Sequence, residues 1–269
     1  MTKLSNKSIW ITGASSGIGE QLVYQLAARG NRLIISARRK EILETVRANC
    51  PPKAQSNVFI LPLDLSDVPA LDSAARAALQ IGQGIDVLFN NGGISQRSLV
   101  SETDFEVDRR LMEVNYFSAV KLSKLVLPNM IDRGGGHIVV TSSLVGKFGT
   151  PFRSAYSASK HALHGFFEAL RAEVFDKGIG VTLFCGGYIK TNISFNAVTG
   201  DGSKHNQMDE NQAKGKRAET AARAMIRAVE ADKREVYFGG REVMGVYIKR
   251  FFPGLFAGIV KKMKISQTK

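Results

Sequence analysis

Cysteine is scarce in this 269-residue chain: Cys50 and Cys185 are the only two, and they form no CxxC pair. Four scattered histidines add no metal-ligand spacing, so neither a disulfide framework nor a structural metal is expected, and a reducing, cytoplasmic compartment is. The first seven residues lack the apolar core of a signal peptide. Uncharged apolar runs are short throughout. The longest near the C-terminus, residues 251–260, contains Pro253 and falls well below the roughly 20 residues a membrane span needs. Acids are nearly missing from the end of the chain, where residues 241–269 carry seven basic side chains against Glu242 alone. That segment supplies nearly half of a net charge of +13. Such charge attracts nucleic acid, anionic lipid or acidic substrates. No nucleic-acid motif or aromatic-basic platform accompanies it, so nucleic acid is set aside.

What is present is an alternation of strand and helix patterns in a chain long enough for one large core. Residues 8–12 (Ser-Ile-Trp-Ile-Thr) read as a strand that ends in Gly13-Ala-Ser-Ser-Gly17-Ile-Gly19. A helix pattern follows through Arg29, with Leu22, Val23, Leu26 and Ala27 on one face. A glycine turn between strand and helix offers backbone N–H groups and a favourable dipole to a pyrophosphate. The spacing is GxxxGxG and not GxGxxG, so it matches the general fingerprint only in kind. Gly13, Ser15, Ser16, Gly17, Ile18 and Gly19 are the candidate contacts.

The second strand, residues 32–36, leads into Ala37-Arg38-Arg39-Lys40. Ala37 stands where an acid would hold the ribose of NAD, and Arg38 after it suits the 2′-phosphate of NADP. NADP(H) is therefore expected over NAD(H). Arg38 and Arg39 are candidate contacts, although Arg39 and Lys40 also read as a solvated helix start.

Strands follow at 57–61, 85–89, 137–141, 180–184 and 235–238, with helices at 68–80, 104–133, from Tyr156 to about Lys177, and 217–230. This rhythm predicts an α/β fold: a doubly wound parallel sheet of about seven strands with helices on both faces. Ligands of such sheets bind at the carboxyl ends of the strands. Gly13, Arg38, Asp64, Asn90, Ser143 and Gly186 all fall there. The polar stretch 188–218 breaks the rhythm and reads as a lid over the site. Residues 1–240 are the expected catalytic domain, and 241–269 a basic, apolar extension.

One more pair stands out in Ser154-Ala-Tyr156-Ser-Ala-Ser-Lys160. Four residues apart on a helix, Tyr156 and Lys160 share a face, and an ammonium beside a phenol favours phenolate. Together, Thr12-Gly-Ala-Ser-Ser-Gly-Ile-Gly19, Asn90-Asn-Gly-Gly93 and Tyr156-Ser-Ala-Ser-Lys160 resemble the TGxxxGIG, NNAG and YxxxK motifs of the short-chain dehydrogenase/reductases. The resemblance covers roughly residues 7–240. It implies an oxidoreductase in which Tyr156 exchanges a proton with a carbonyl or alcohol oxygen. Lys160 would lower the phenol pKa and bind the nicotinamide ribose, and Ser143 would bind the substrate oxygen. Asn115 would hold a water that links Lys160 to solvent. The resemblance also places Asp64 and Leu65 at the adenine, Asn91, Gly92 and Gly93 along the cofactor, and Ile189 and Thr191, with Gly187, at the carboxamide.

Two departures from the family pattern are expected to loosen the site: Gly92 in place of alanine, and Gly186 in place of proline. His161 and His164 match no catalytic position and read as packing or interface residues. The family also implies a homodimer or homotetramer paired through the helices at 104–133 and 156–177. The tail resembles that of reductases acting on bulky lipophilic substrates. Two other readings stay open: a non-enzymatic NADP(H)-binding sensor or scaffold, and a reductase held to a membrane surface by its tail. The preferred role for the tail aromatics is packing over the pocket or at a subunit interface.

Overall fold

The computed structural model describes residues 3–263. Seven parallel strands make one sheet, and their backbone runs are apolar enough to be buried on both faces. They are β1 (Ser8–Thr12), β2 (Arg32–Ser36), β3 (Val58–Ile60), β4 (Val87–Asn90), β5 (Gly136–Ser143), β6 (Ile179–Gly186) and, after two short strands, β9 (Glu235–Phe238). The short pair is β7 (Ile189–Lys190) and β8 (Lys216–Arg217). The sheet order is β3-β2-β1-β4-β5-β6-β9. Successive residues of each strand face opposite layers: Ile9 and Ile11 pack on one side, Trp10 on the other.

One layer is built by α1 (Gly17–Ala27), α2 (Lys40–Ala48) and α8 (Ala218–Glu230), through Leu22, Leu26, Leu43, Val46, Met225 and Ile226. The other is built by α3 (Val68–Gly82), α5 (Ser118–Asp132) and α6 (Ser154–Glu173), through Leu71, Ala78, Leu122, Val126, Leu163 and Phe167. The sheet order reverses between β1 and β4, which opens a crevice at their carboxyl ends. The doubly wound parallel fold expected from the alternation is the fold observed.

The stretch 104–133 is not the single helix its periodicity suggested. It forms α4 (Phe105–Met112), a π-helical turn (Glu113–Phe117) and then α5. The wider turn turns the Asn115 side chain inward to bond the backbone of Ile94. The helix carrying Tyr156 stops at Glu173, short of Lys177. A 3-10 turn and left-handed Gly178 (φ 69°) follow. The irregular stretch after β6 contains β7, β8 and the short α7 (Glu210–Ala213), with Ala197, Val198 and Gln212 buried. The tail folds as α9 (Met244–Phe251) and α10 (Pro253–Lys261), held by Val246 and Phe256 against Leu144, Val145 and Phe148. Residues 264–269 of the expected extension lie outside the described residues.

Candidate active site

The glycine turn is fixed by contacts that no other residue would allow. Gly13 has φ 66°, and a Cβ there would fall 2.7 Å from Gly92 Cα. Ser16 is the N-cap of α1, extended in backbone and without a side-chain bond to the helix, so the first turn keeps its N–H groups free. Gly13, Ser15, Ser16, Gly17 and Ile18 line a cavity of about 860 Å³ at the carboxyl edge of the sheet. Gly19 does not reach it; it is packed behind the turn against the Gly13 carbonyl and the Asn91 amide.

The Asn90–Gly93 segment clips three strands together. Thr12 Oγ1 accepts the N–H groups of Asn91 and Gly92, each at 3.1 Å. Asn91 Nδ2 donates to the carbonyls of Thr12 and Gly13, and its Oδ1 accepts from Thr141. Gly92 is therefore not the loose point expected. The Leu65 side chain occupies the space where an alanine methyl would stand, and two hydrogen bonds hold the backbone.

Arg38, Arg39, Asp64 and Leu65 line the end of the cavity beyond the turn. Burial disfavours the Asp64 carboxylate. The N–H and hydroxyl of Ser66, with the charges of Arg38 and Arg110, outweigh it and hold the carboxyl below its usual value. At the other end, Thr191 packs on Gly17, which brings the start of the irregular stretch after β6 to the glycine turn. Gln212 Nε2 donates to the carbonyl of Ile189, and Gly187 N to that of Phe238 at 2.7 Å.

Tyr156, Lys160 and Ser143 face the same cavity. Burial raises the Tyr156 pKa; interaction with the Ser143 hydroxyl and the charges of Arg153 and Arg97 oppose the rise. Lys160, expected to lower that pKa, lies near the phenol but hydrogen-bonds elsewhere. Lys160 Nζ sits 5.8 Å from the phenol ring centroid and donates to the Thr141 carbonyl at 2.8 Å. Burial lowers the Lys160 pKa to about 8. Ser143 Oγ donates to the Gly186 carbonyl at 3.1 Å, so its proton must rotate away before it can serve another oxygen.

Asn115 is buried and does not line the cavity. Its amide bonds Ile94 both ways and also Ser159. A methyl on Gly93 would lie 2.9 Å from Asn115 Oδ1 and 3.6 Å from Lys160 Nζ, so that glycine keeps the gap between them open.

Four residues escaped the sequence reading. Gln96, fully buried, accepts the N–H of Ala155 at 2.9 Å and donates to the hydroxyls of Ser98, Thr103 and Ser154. Arg97 and Arg153 both bind Asp209, in the irregular stretch after β6, Arg97 through Nε and Nη2, Arg153 at 3.0 Å. Backbone bonds between Val198 and residues 95 and 97 tie that stretch to the same strand exit. No motif marks these residues, because the bonds that join Gln96 to Ala155 and the two arginines to Asp209 span 56 or more positions.

Behind Lys160, His164, Cys185 and Glu235 gather with their polar atoms within 4.8 Å. His164 is a buried packing residue, bonded to Ser142 at 3.0 Å, with its pKa lowered by burial to about 4. Burial keeps Cys185 a thiol, and Lys147 pairs with Glu235 at 2.7 Å. His161, on the exposed face of α6, bonds only the Ser157 carbonyl one turn back.

Comparison with known proteins agrees with the fold. The family model for short chain dehydrogenases matches residues 7–201. The mouse protein called dehydrogenase/reductase SDR family member 7B is 42% identical over 261 residues, covering 96% of this chain and 81% of its own. An Anopheles gambiae protein called dehydrogenase/reductase SDR family protein 7-like is 41% identical, covering 96% and 83%. A crystal structure of a short-chain dehydrogenase from Streptomyces avermitilis superposes with a TM-score of 0.80 at 28% identity, covering 96% of each chain.

Proposed function

This chain belongs to the short-chain dehydrogenase/reductase family, and on that premise we propose that it transfers hydride between NADP(H) and a ketone, aldehyde or secondary alcohol. The observation that carries the reading is a single cavity shared by the glycine turn and the Ser143, Tyr156 and Lys160 side chains. The donor set suits a dinucleotide: free N–H groups at the start of α1 for phosphate, a cradle that a Cβ at Gly13 would fill, and Arg38 for a 2′-phosphate. Bound there, the nicotinamide supplies the hydride chemistry.

Tyr156 gives its proton to the substrate oxygen in reduction and takes it back in oxidation. Burial holds Tyr156 in its protonated form, and the same phenol serves as acid in reduction and, once deprotonated, as base in oxidation. Arg97 and Arg153 supply the positive charge that makes its phenolate accessible, and Lys160 adds to it on moving off the Thr141 carbonyl. Ser143, its hydroxyl turned from Gly186, holds the substrate oxygen within reach. The apolar walls beside this centre, from Leu144, Phe148, Ile248 and Phe256, favour a lipophilic carbonyl compound.

Replacing Tyr156 by Phe tests the reading. NADPH oxidation with a panel of ketones and aldehydes should be lost while NADPH binding, followed by fluorescence, is kept. Turnover that survives in Tyr156→Phe sinks it.

A further inference from the structure

Seven of the fifteen large hydrophobic side chains exposed among the described residues fall within residues 244–263. Phe251, Phe252 and Leu255 are 68%, 64% and 61% exposed. The helices that carry them are nonetheless fixed. Val246 and Phe256 turn inward, and the Phe148 and Phe256 rings meet at 4.9 Å. The tail therefore divides its aromatics. One face packs over the cavity, one of the roles the sequence left open, and the other, through Phe251, Phe252 and Leu255, covers nothing among the described residues; Tyr247 meets Tyr237 edge-on at 6.0 Å.

The same two helices bear Lys249, Arg250 and Lys261, and Lys262 follows directly, all exposed. The one acid of this segment, Glu242, is turned inward and accepts the Tyr188 N–H at 3.0 Å. An apolar face flanked by cations and stripped of acids has the chemistry of an interfacial helix. We propose that α9 and α10 dock this protein on an anionic bilayer surface, with the apolar side chains at the acyl boundary and the cations among the headgroups. A second copy of the chain is a poorer occupant, because two such faces would bring their cations together with no acid between them.

The cavity opens on this face. Met244, Ile259 and Met263 line the cavity and are also exposed. A lipophilic carbonyl compound dissolved in the bilayer would then enter past them without crossing water. That last step rests on the oxidoreductase reading; the docking itself does not.

Co-sedimentation of the full chain with vesicles of phosphatidylcholine, with and without phosphatidylserine, tests the docking. Wild-type protein should pellet with the mixed vesicles and be released by raised salt. The variant Phe251→Ser/Phe252→Ser/Leu255→Ser should partition at least about tenfold less. The variant Arg250→Glu/Lys261→Glu/Lys262→Glu should lose the preference for phosphatidylserine. NADPH binding, measured on each variant, shows that the fold is intact, and the charge variant decides if the apolar variant misfolds. Equal partitioning of wild type and the folded variants overturns the proposal. So does wild-type protein that ignores vesicles but elutes as an oligomer that the apolar substitutions dissociate. No turnover is needed for either measurement, so failure here leaves the assay of Tyr156→Phe to judge the enzyme reading separately.

Discussion

Gln96 caps the helix that carries Tyr156: its side-chain oxygen accepts the N–H of Ala155 at 2.9 Å and that of Tyr156 itself at 3.3 Å. The residue in the N-cap position, Arg153, makes no side-chain bond to the helix. The cap thus comes from a loop 58 positions or more away, at the exit of β4. Gln96→Ala should cost about 1–2 kcal/mol in urea unfolding, the usual loss for a removed cap. It should also lower kcat several-fold with a smaller change in KM, since the proposed proton donor loses its anchor and the cavity does not. An unchanged kcat would show that the phenol is positioned by its other neighbours.

The proposed preference for NADP(H) rests on Arg38, which is exposed, lines the cavity and bears on the Asp64 carboxylate. Arg38→Asp should weaken NADPH binding by about 2–3 kcal/mol, through loss of a charge-assisted pair and gain of a repulsion. NADH affinity should hold or rise. Titration of both cofactors by fluorescence checks this, and parallel losses for the two would place the 2′-phosphate elsewhere.

Asp209 joins the irregular stretch after β6 to both Arg97 and Arg153, and the Arg97 side chain is only 7% exposed. Asp209→Asn leaves two guanidiniums facing each other, one of them buried. A stability loss of about 3 kcal/mol is expected. Limited proteolysis within 188–216 should quicken. The uncompensated positive charge also favours phenolate, so the pH profile governed by Tyr156 should move to lower pH. No shift would mean that the phenol does not sense this cluster.

His137 is fully buried on β5, bonded to Thr182 at 2.8 Å, and burial lowers its pKa to about 4. The unfolded chain holds that proton up to about pH 6.5. Between those values the unfolded state takes it first, so stability is complete above about pH 6.5 and falls on acidification. By pH 5 the loss should reach about 2 kcal/mol. His164, lowered likewise, adds to it in the same direction. His137→Gln should flatten part of this slope in urea titrations at pH 5 and 7, and an unaltered slope would assign it to other groups.

The strands and their order of burial were legible because a parallel sheet covered on both faces needs continuous apolar runs, and residues 8–12, 32–36 and 137–141 supply them. The glycine turn and the Tyr156–Lys160 pair were legible because each is local in sequence. Gln96, Arg97 and Asp209 were not, since a hydrogen bond across the sheet's end leaves no periodicity behind. The helix at 104–133 was misread for a related reason. Apolar spacing records which face is buried, and a single wide turn resets that face without any glycine or proline to mark it.

That wide turn, Glu113–Phe117, has a consequence for how the chain tolerates change. Removing one residue from it would make the segment more regular, joining α4 and α5 into one straight rod. Each half would then be rotated about 100° against the other. Val107 and Leu111, now buried, would swing away from their pocket, and the Asn115 amide would leave Ile94. Here a better helix makes a worse enzyme: the extra residue is a spacer that keeps two faces of one helix answering to two different neighbours.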